Sequence, residues 1–185
     1  MNTAEDELST IAETNRLIIR EIGMEELAEY QNIINTCAAG IAPDLVGLEA
    51  EEFADRHRAY IRFQYGFYGY GIWGIWLKKS ILDSGATECG TAAVNSGTTE
   101  CGIAAAQPLI GLVGLVNGSA SRVGELFYAI LPEYRRQGYA YEACTAALEY
   151  GRECGFKDFE VRIEKDNLSS LSLAEKLGAL AIKEV

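Results

Sequence analysis

The chain has 185 residues, 49% hydrophobic and 23% charged, which is enough apolar material for one sizeable core. A formal net charge of −11 argues against nucleic-acid binding, which needs a basic face to neutralise phosphates, and suits a cationic partner such as an amine. The most apolar stretch, Ile103 to Val116, is interrupted by Gln107 and Pro108 and falls short of the roughly 18 apolar residues of a membrane span.

In chain order, residues 1–13 read as a polar lead-in, partly helical. Their acidic start lacks the basic and then apolar pattern of a secretory signal. Arg16 to Ile22 is rich in β-branched residues and predicts a first strand, ended by Gly23. Met24 to Thr36 has helical spacing, with Leu27, Tyr30, Ile33 and Ile34 on one side. A second helix is expected from Leu48 to about Phe67, with Glu49, Glu51 and Glu52 at its positive end. The only histidine, His57, falls on this helix as a packed or half-exposed side chain, so any Ser-His-Asp or Cys-His chemistry would rest on it alone. Tyr70 to Leu77 predicts a strand.

Residues 84–95 are then nearly repeated by residues 96–107, with eight of twelve positions identical. Two copies are too few for a solenoid, so the segment reads as a tandem-duplicated insert, a hairpin extending the sheet. Its Cys89 and Cys101 have neither a histidine nor a CxxC partner and make a poor zinc set, so no metal is expected. The five cysteines are odd in number, which suits reduced thiols in a cytoplasmic protein.

Leu109 to Val116 predicts a strand, Asn117-Gly118 a turn, and Val123 to Leu131 another strand, stopped by Pro132. Gly138 to Cys154 predicts a helix whose small residues Ala140, Ala143 and Ala147 allow close approach to a sheet, with Cys144 and Cys154 as core. Phe159, Val161 and Ile163 alternate with charged residues as a half-buried strand. Asn167 to Leu177 reads as a short helix between an Asn cap and Gly178, and residues 179–185 as a last strand. A run of strands with helices at intervals, and one strand–helix–strand unit from 123 to 164, is an α/β or α+β sheet with helices on both faces. One domain over 1–185 is expected.

The segment with the most chemical content runs from Glu125 to Ala143. A strand ends at a proline, a short basic loop follows, and a helix starts at a glycine. Free N–H groups in a helix's first turn bind phosphate oxygens, and Gly138 lets the backbone approach such an anion. Arg135 and Arg136 add positive charge. The pattern lacks the GK[ST] ending of a nucleotide P-loop and the three glycines of a dinucleotide fingerprint. Taken by themselves, these residues are either an anion site or an ordinary glycine turn.

Arg135-x-x-Gly138-x-Ala140 resembles the [RQ]-x-x-G-x-[GA] motif of the GNAT superfamily of acyl-CoA-dependent N-acyltransferases. The likeness extends to Glu125–Ala143 as the family's fourth strand and following helix, to Asn167-x-x-Ser170 and Glu175-Lys176-Leu177-Gly178 as a later helix, and to Arg16–Leu27 as the first strand and helix. Roughly residues 15–180 align in order, apart from the insert, and the flavour is that of the subgroup acetylating ribosomal-protein N-termini.

The resemblance implies a mixed, mostly antiparallel sheet with a splayed central strand pair, and acetyl-CoA as co-substrate. It implies a phosphate cradle at Arg135, Arg136, Gln137, Gly138, Tyr139 and Ala140. Ala129, Ile130 and Leu131 would pair with the pantetheine chain, and Asn167 would contact the coenzyme arm, though a helix N-cap accounts for it equally. Glu125 is implied as the base that takes the amine proton, and Ser170 as the group that protonates the leaving thiolate. Many family members have a tyrosine one turn later, where this chain has Ala174, so Tyr128 or water is an alternative donor.

Two departures stand out. Arg136 occupies a place where the subgroup often has glycine, and relatives continue into a further strand beyond residue 185. The absent last strand would leave an uncapped edge, hence an expected homodimer. The aromatic residues Tyr60, Phe63, Tyr65, Phe67, Tyr68, Tyr70, Trp73 and Trp76 are either core or the wall of an acceptor groove. The expected activity is acetyl transfer from acetyl-CoA to a primary amine, a peptide N-terminus or a small amine, by direct attack in a ternary complex. The competing expectation is a non-catalytic acyl-CoA-binding module of the same fold.

Overall fold

The computed structural model describes residues 8–79, 107–178 and 180–184. The duplicated insert, with Cys89 and Cys101, lies outside the described residues. Among those described, seven strands form one sheet in chain order: β1 Thr10–Glu13, β2 Leu17–Arg20, β3 Ile72–Leu77, β4 Leu109–Asn117, β5 Val123–Ile130, β6 Asp158–Ile163 and β7 Leu180–Glu184. The pairings from β1–β2 to β4–β5 are antiparallel, whereas β5–β6 and β6–β7 are parallel.

Among the described residues four α-helices accompany the sheet: α1 Leu27–Cys37, α2 Ala50–Tyr60, α3 Tyr139–Glu153 and α4 Leu168–Leu177. The second does not stay α-helical to residue 67. It passes at Ile61 into a π-helix that runs to Tyr68, where Gly69 in the left-handed region ends it. Strand β1 falls in the segment read as a polar lead-in. Four residues beside charged neighbours carry little strand signal of their own. The strand forms because β2 offers an edge, in the register Thr10↔Arg20 and Glu13↔Ile18.

The alternation of strand side chains sorts the core onto two faces. On one face Leu17, Ile19, Trp73, Ile75, Val113, Leu126 and Ile130 pack against Ala143, Cys144 and Ala147 of α3. Gly151 lets this helix lie close, because a Cβ there would stand 2.5 Å from Leu115 Cδ1. On the other face Tyr30, Ile33 and Ile34 of α1 and Phe53 of α2 pack against Ile72, Trp76, Leu112, Ala129 and Leu131. Cys144 is core, as expected, but Cys154, at the end of α3, is exposed. The aromatic residues divide: Tyr65, Trp73 and Trp76 are buried, whereas Phe63, Phe67 and Tyr68 are exposed.

Candidate active site

The site begins where the sheet forks. Strands β5 and β6 pair only at Val123↔Asp158, Gly124↔Phe159 and Glu125↔Glu160, then part. On its other side β5 stays paired with β4 through Ile130↔Gly111. The bonds Leu131 N–H to Ile110 O (3.0 Å) and Gly118 N–H to Val123 O (2.9 Å) fix which residues face β4. By antiparallel alternation those are the odd-numbered residues 123 to 131. The main-chain groups of Leu126, Tyr128 and Ile130 therefore point into the fork. Ala129, also expected to pair with a coenzyme chain, spends its groups on β4, and Leu131, expected to do the same, gives its N–H to Ile110 O and its carbonyl to Tyr134 N–H.

The expected phosphate cradle lies at the far end of β5. Gly138 has φ +83° and Arg136 φ +61°, so the turn before α3 twice enters the left-handed region. Such turns gather successive N–H groups into a concave anion site, here at the positive end of a 15-residue helix. Glycine meets this demand at 138 without strain; an arginine at 136 bears it. The same fact explains why a glycine is at home at position 136.

The two arginines part company. Arg135 Nε donates to Ile130 O at 2.8 Å, bracing the loop against the end of β5. Arg136 is exposed and makes no ion pair among the described residues. The loop is also held by Arg16, whose Nη1 donates to Gln137 O (2.8 Å) and whose guanidinium lies over the Tyr139 ring at 4.5 Å. Arg16 Nε in turn donates to Glu142 Oε2 at 2.7 Å. Burial works against ionisation of Glu142, but hydrogen bonds from Thr14 and Arg16, with the Arg16 charge, hold its carboxyl below the usual range.

Across the fork stands the N-terminus of α4. Asn167 caps it, Oδ1 accepting from Ser170 N–H at 3.1 Å. Ser170 Oγ accepts a hydrogen bond from the Tyr128 hydroxyl at 2.9 Å. Burial raises the pKa of that hydroxyl, against an opposing effect of Ser170, so Tyr128 stays protonated and a donor. Ala174, one turn beyond Ser170, is buried against Val161 and Ile163. Tyr128, the alternative donor, is thus joined to Ser170.

Two cavities meet at Tyr128, Ser170, Asn167 and Cys37. One, of about 530 Å³, runs along the loop and α3 past Ala129, Ile130, Arg135, Arg136, Gly138, Tyr139 and Ala140 to Lys176 on α4. Leu131 and Gln137 stand apart from it. Leu131 is buried on the α1 face, and the Gln137 side chain donates back to Glu133 O. The other, of about 740 Å³, opens between the fork and the helices on the α1 side, and Glu125 lines it. Glu125 Oε2 accepts from Arg162 Nη2 at 2.8 Å. Burial pushes the Cys37 thiol up, with Arg135 only partly opposing, so it is a poor nucleophile at neutral pH.

The π-helix shapes the larger cavity. Its i→i+5 register brings residues five apart onto one side. Tyr60 and Tyr65 accordingly meet edge to face, 5.2 Å between centroids, and together hold the start of β3: Ile72 N–H donates to the Tyr60 hydroxyl at 2.6 Å, and the Tyr65 hydroxyl donates to Ile72 O. Tyr60 and Gln64 then line the cavity. His57, buried one turn earlier, bonds Ile22 O through Nε2 at 2.8 Å. It is a packed side chain outside the site.

Sequence reasoning missed Arg16, Arg162, Cys37 and the π-helix. Arg16 and Arg162 are each read locally as a polar residue flanking or alternating along a strand. Only the packing of α3 beside the start of β2 and the pairing β5–β6 carry them to the loop and the fork. Tyr60 and Tyr65, five apart, were the available sign of the π-register.

Residues 16–180 match the family model of the acetyltransferase (GNAT) domain, which defines the class as acetyl transfer. The chain belongs to the GNAT acetyltransferase family. No curated protein matches the sequence. Solved structures share the fold: an acetyltransferase from Agrobacterium tumefaciens str. C58 (17% identity, 90% of this chain and 81% of that one, TM-score 0.60); RimL, a ribosomal L7/L12 α-N-protein acetyltransferase in complex with coenzyme A (13%, 91% and 82%, 0.62); and the spermidine/spermine N-acetyltransferase SpeG from Vibrio cholerae (16%, 88% and 77%, 0.59). At these identities the likeness speaks for the fold.

Proposed function

We propose that the chain transfers an acetyl group from acetyl-CoA to a primary amine by direct attack, with coenzyme in the cavity along α3 and amine in the cavity on the α1 side. The observation that carries this reading is the fork between β5 and β6, where the two cavities meet beside Tyr128 and Ser170. The loop's N–H groups and the Arg136 guanidinium suit the coenzyme's phosphates, and the inward main-chain groups of Tyr128, with the Ile130 N–H, suit its amide-bearing arm.

The amine must lose a proton before it attacks. With reference pKa values of about 8 for an α-amine and about 10.4 for lysine, little of either is neutral at pH 7. Glu125 takes that proton, directly or through water, once its carboxylate turns from Arg162 to the acceptor. The C–N bond forms, an N–H of the fork holds the oxyanion, the nitrogen, positively charged after attack, releases its second proton to water, and the C–S bond breaks. The Ser170 hydroxyl protonates the departing thiolate and is resupplied by Tyr128, which regains a proton from water as Glu125 gives up the one it took. A thiol stays at the end of the coenzyme and an amide on the acceptor.

Acceptors in order of preference are a peptide N-terminus and then a small polyamine. Mass spectrometry of short peptides and spermidine incubated with protein and acetyl-CoA tests this. Acetylated amine is the expected product. Coenzyme binding without acetylation of any amine would instead favour a non-catalytic acyl-CoA-binding module.

A further inference from the structure

The base that the reaction needs is not free. Glu125 is the last residue of β5 paired with β6, and its carboxylate is tied across the fork to Arg162, two residues beyond its partner Glu160. Both side chains line the acceptor cavity. They differ in exposure, 15% for Glu125 and 58% for Arg162, so the guanidinium stands at the solvent side of the carboxylate. An arriving ammonium group meets a cation before it meets the base.

Charge decides which acceptors pass. A simple cation must take Glu125 from Arg162, leaving an unpaired guanidinium beside the incoming charge. An acceptor with a carboxylate near its amine offers Arg162 a replacement partner, so both charges of the resting pair stay matched. Guanidinium binds carboxylate through two parallel N–H donors, so the replacement also orients the acceptor. A pair this exposed is weak enough to open, because water screens it.

Resting on the acetyl-transfer reading above, we infer that Arg162 is a specificity-determining residue which selects amines bearing a nearby carboxylate and frees Glu125 when such an acceptor binds. The carboxylate has two sources: a free α-amino acid, or a peptide N-terminus with an acidic second residue. The chain's own competitor is Glu164, two residues on and lining the same cavity. If Glu164 simply took over Arg162, acceptors with and without a carboxylate would be used alike.

The experiment measures kcat/KM for acetyl transfer to two matched pairs: alanine against alaninamide, and the peptide amides Ala-Asp against Ala-Asn. The carboxylate-bearing member of one pair is expected to be preferred about tenfold or more, the scale of one charge-assisted hydrogen bond. The pair that shows the preference identifies the source. Arg162→Gln should bring the ratio to about one through KM, Arg162→Lys should restore part of it, and Arg162→Glu should reverse it. Transfer without preference in both pairs, or a preference that survives Arg162→Gln, overturns the inference and leaves the acetyl-transfer reading standing. Failure to acetylate any amine overturns that reading, and this inference with it.

Discussion

On the α3 side of the fork the groups that line the cavity come largely from one continuous stretch of chain, residues 128–141. On the α1 side they belong to side chains from separate parts of the chain. In the proposed function the coenzyme side uses a backbone shape, a turn twice in the left-handed region leading into a helix, and one six-residue motif encodes it. The proposed acceptor side draws on Tyr60 at the end of α2, Gln64 of the π-helix, Glu125 from β5 and Arg162 from β6, brought together by a fork in the sheet. The coenzyme is constant across a family of transferases and a backbone cradle suits it. Acceptors vary, and side chains can be exchanged without disturbing the fold.

The largest effect that would sharpen this contrast is Glu125→Gln. Loss of a base that takes the proton of the attacking amine costs about 100-fold or more in kcat. Coenzyme affinity should stay within about twofold, since removal of a group on the far side of the fork leaves uniform binding intact. Equal losses in both would show that the two cavities are not separate sites. Rapid-quench turnover and calorimetry measure the two quantities.

At the junction of the cavities, Tyr128→Phe and Ser170→Ala should each lower kcat about tenfold, below the usual range for proton transfer because a thiolate leaves readily. The double variant should be little worse than either alone, because the hydroxyls act as one relay. Multiplying losses would break the relay.

Arg136→Gly tests whether the coenzyme side depends on shape more than charge. It removes a left-handed arginine and adds a flexible glycine, effects of opposite sign, so Tm should move by no more than about 3 °C. Affinity for acetyl-CoA should fall about threefold at low salt, and the difference should close as salt is added. An affinity loss that persists at high salt would mean that the arginine does more than supply charge.

The smallest effect belongs to His57, behind the wall of the acceptor cavity and stacked on Tyr60 at 6.3 Å between ring centroids. Burial lowers its pKa, only partly opposed by its bond to Ile22. As pH falls through about 6.5 the unfolded chain takes up a proton there that the folded chain does not, so stability drops. Denaturant midpoints at about pH 7.5 and about pH 5.5 should show a larger fall for the wild type than for His57→Gln. An equal fall in both would place the pH dependence elsewhere.

These differences account for what could be read beforehand. The strand ending at Pro132, the glycine at 138 and the alanine face of α3 are local signals, and the structure places all three as expected. Asn167 caps α4 for a local reason too. Arg162 was legible only as the polar position between Val161 and Ile163, because its partner lies on another strand. The π-helix had as its one local sign the five-residue spacing of Tyr60 and Tyr65, which fits no α-helical face. Strand β1 was missed because its structure comes from its neighbour rather than from its own four residues.

The most direct test of the central claim is calorimetric titration with acetyl-CoA of the wild type and of Gly138→Val. Gly138 sits at φ +83°, where a β-branched residue is strained, and a side chain there would crowd Arg16 Nη2, 3.3 Å from the first added carbon. The account predicts micromolar binding by the wild type, weakened about tenfold or more by the substitution. No binding by the wild type, or equal binding by a folded Gly138→Val, would contradict it.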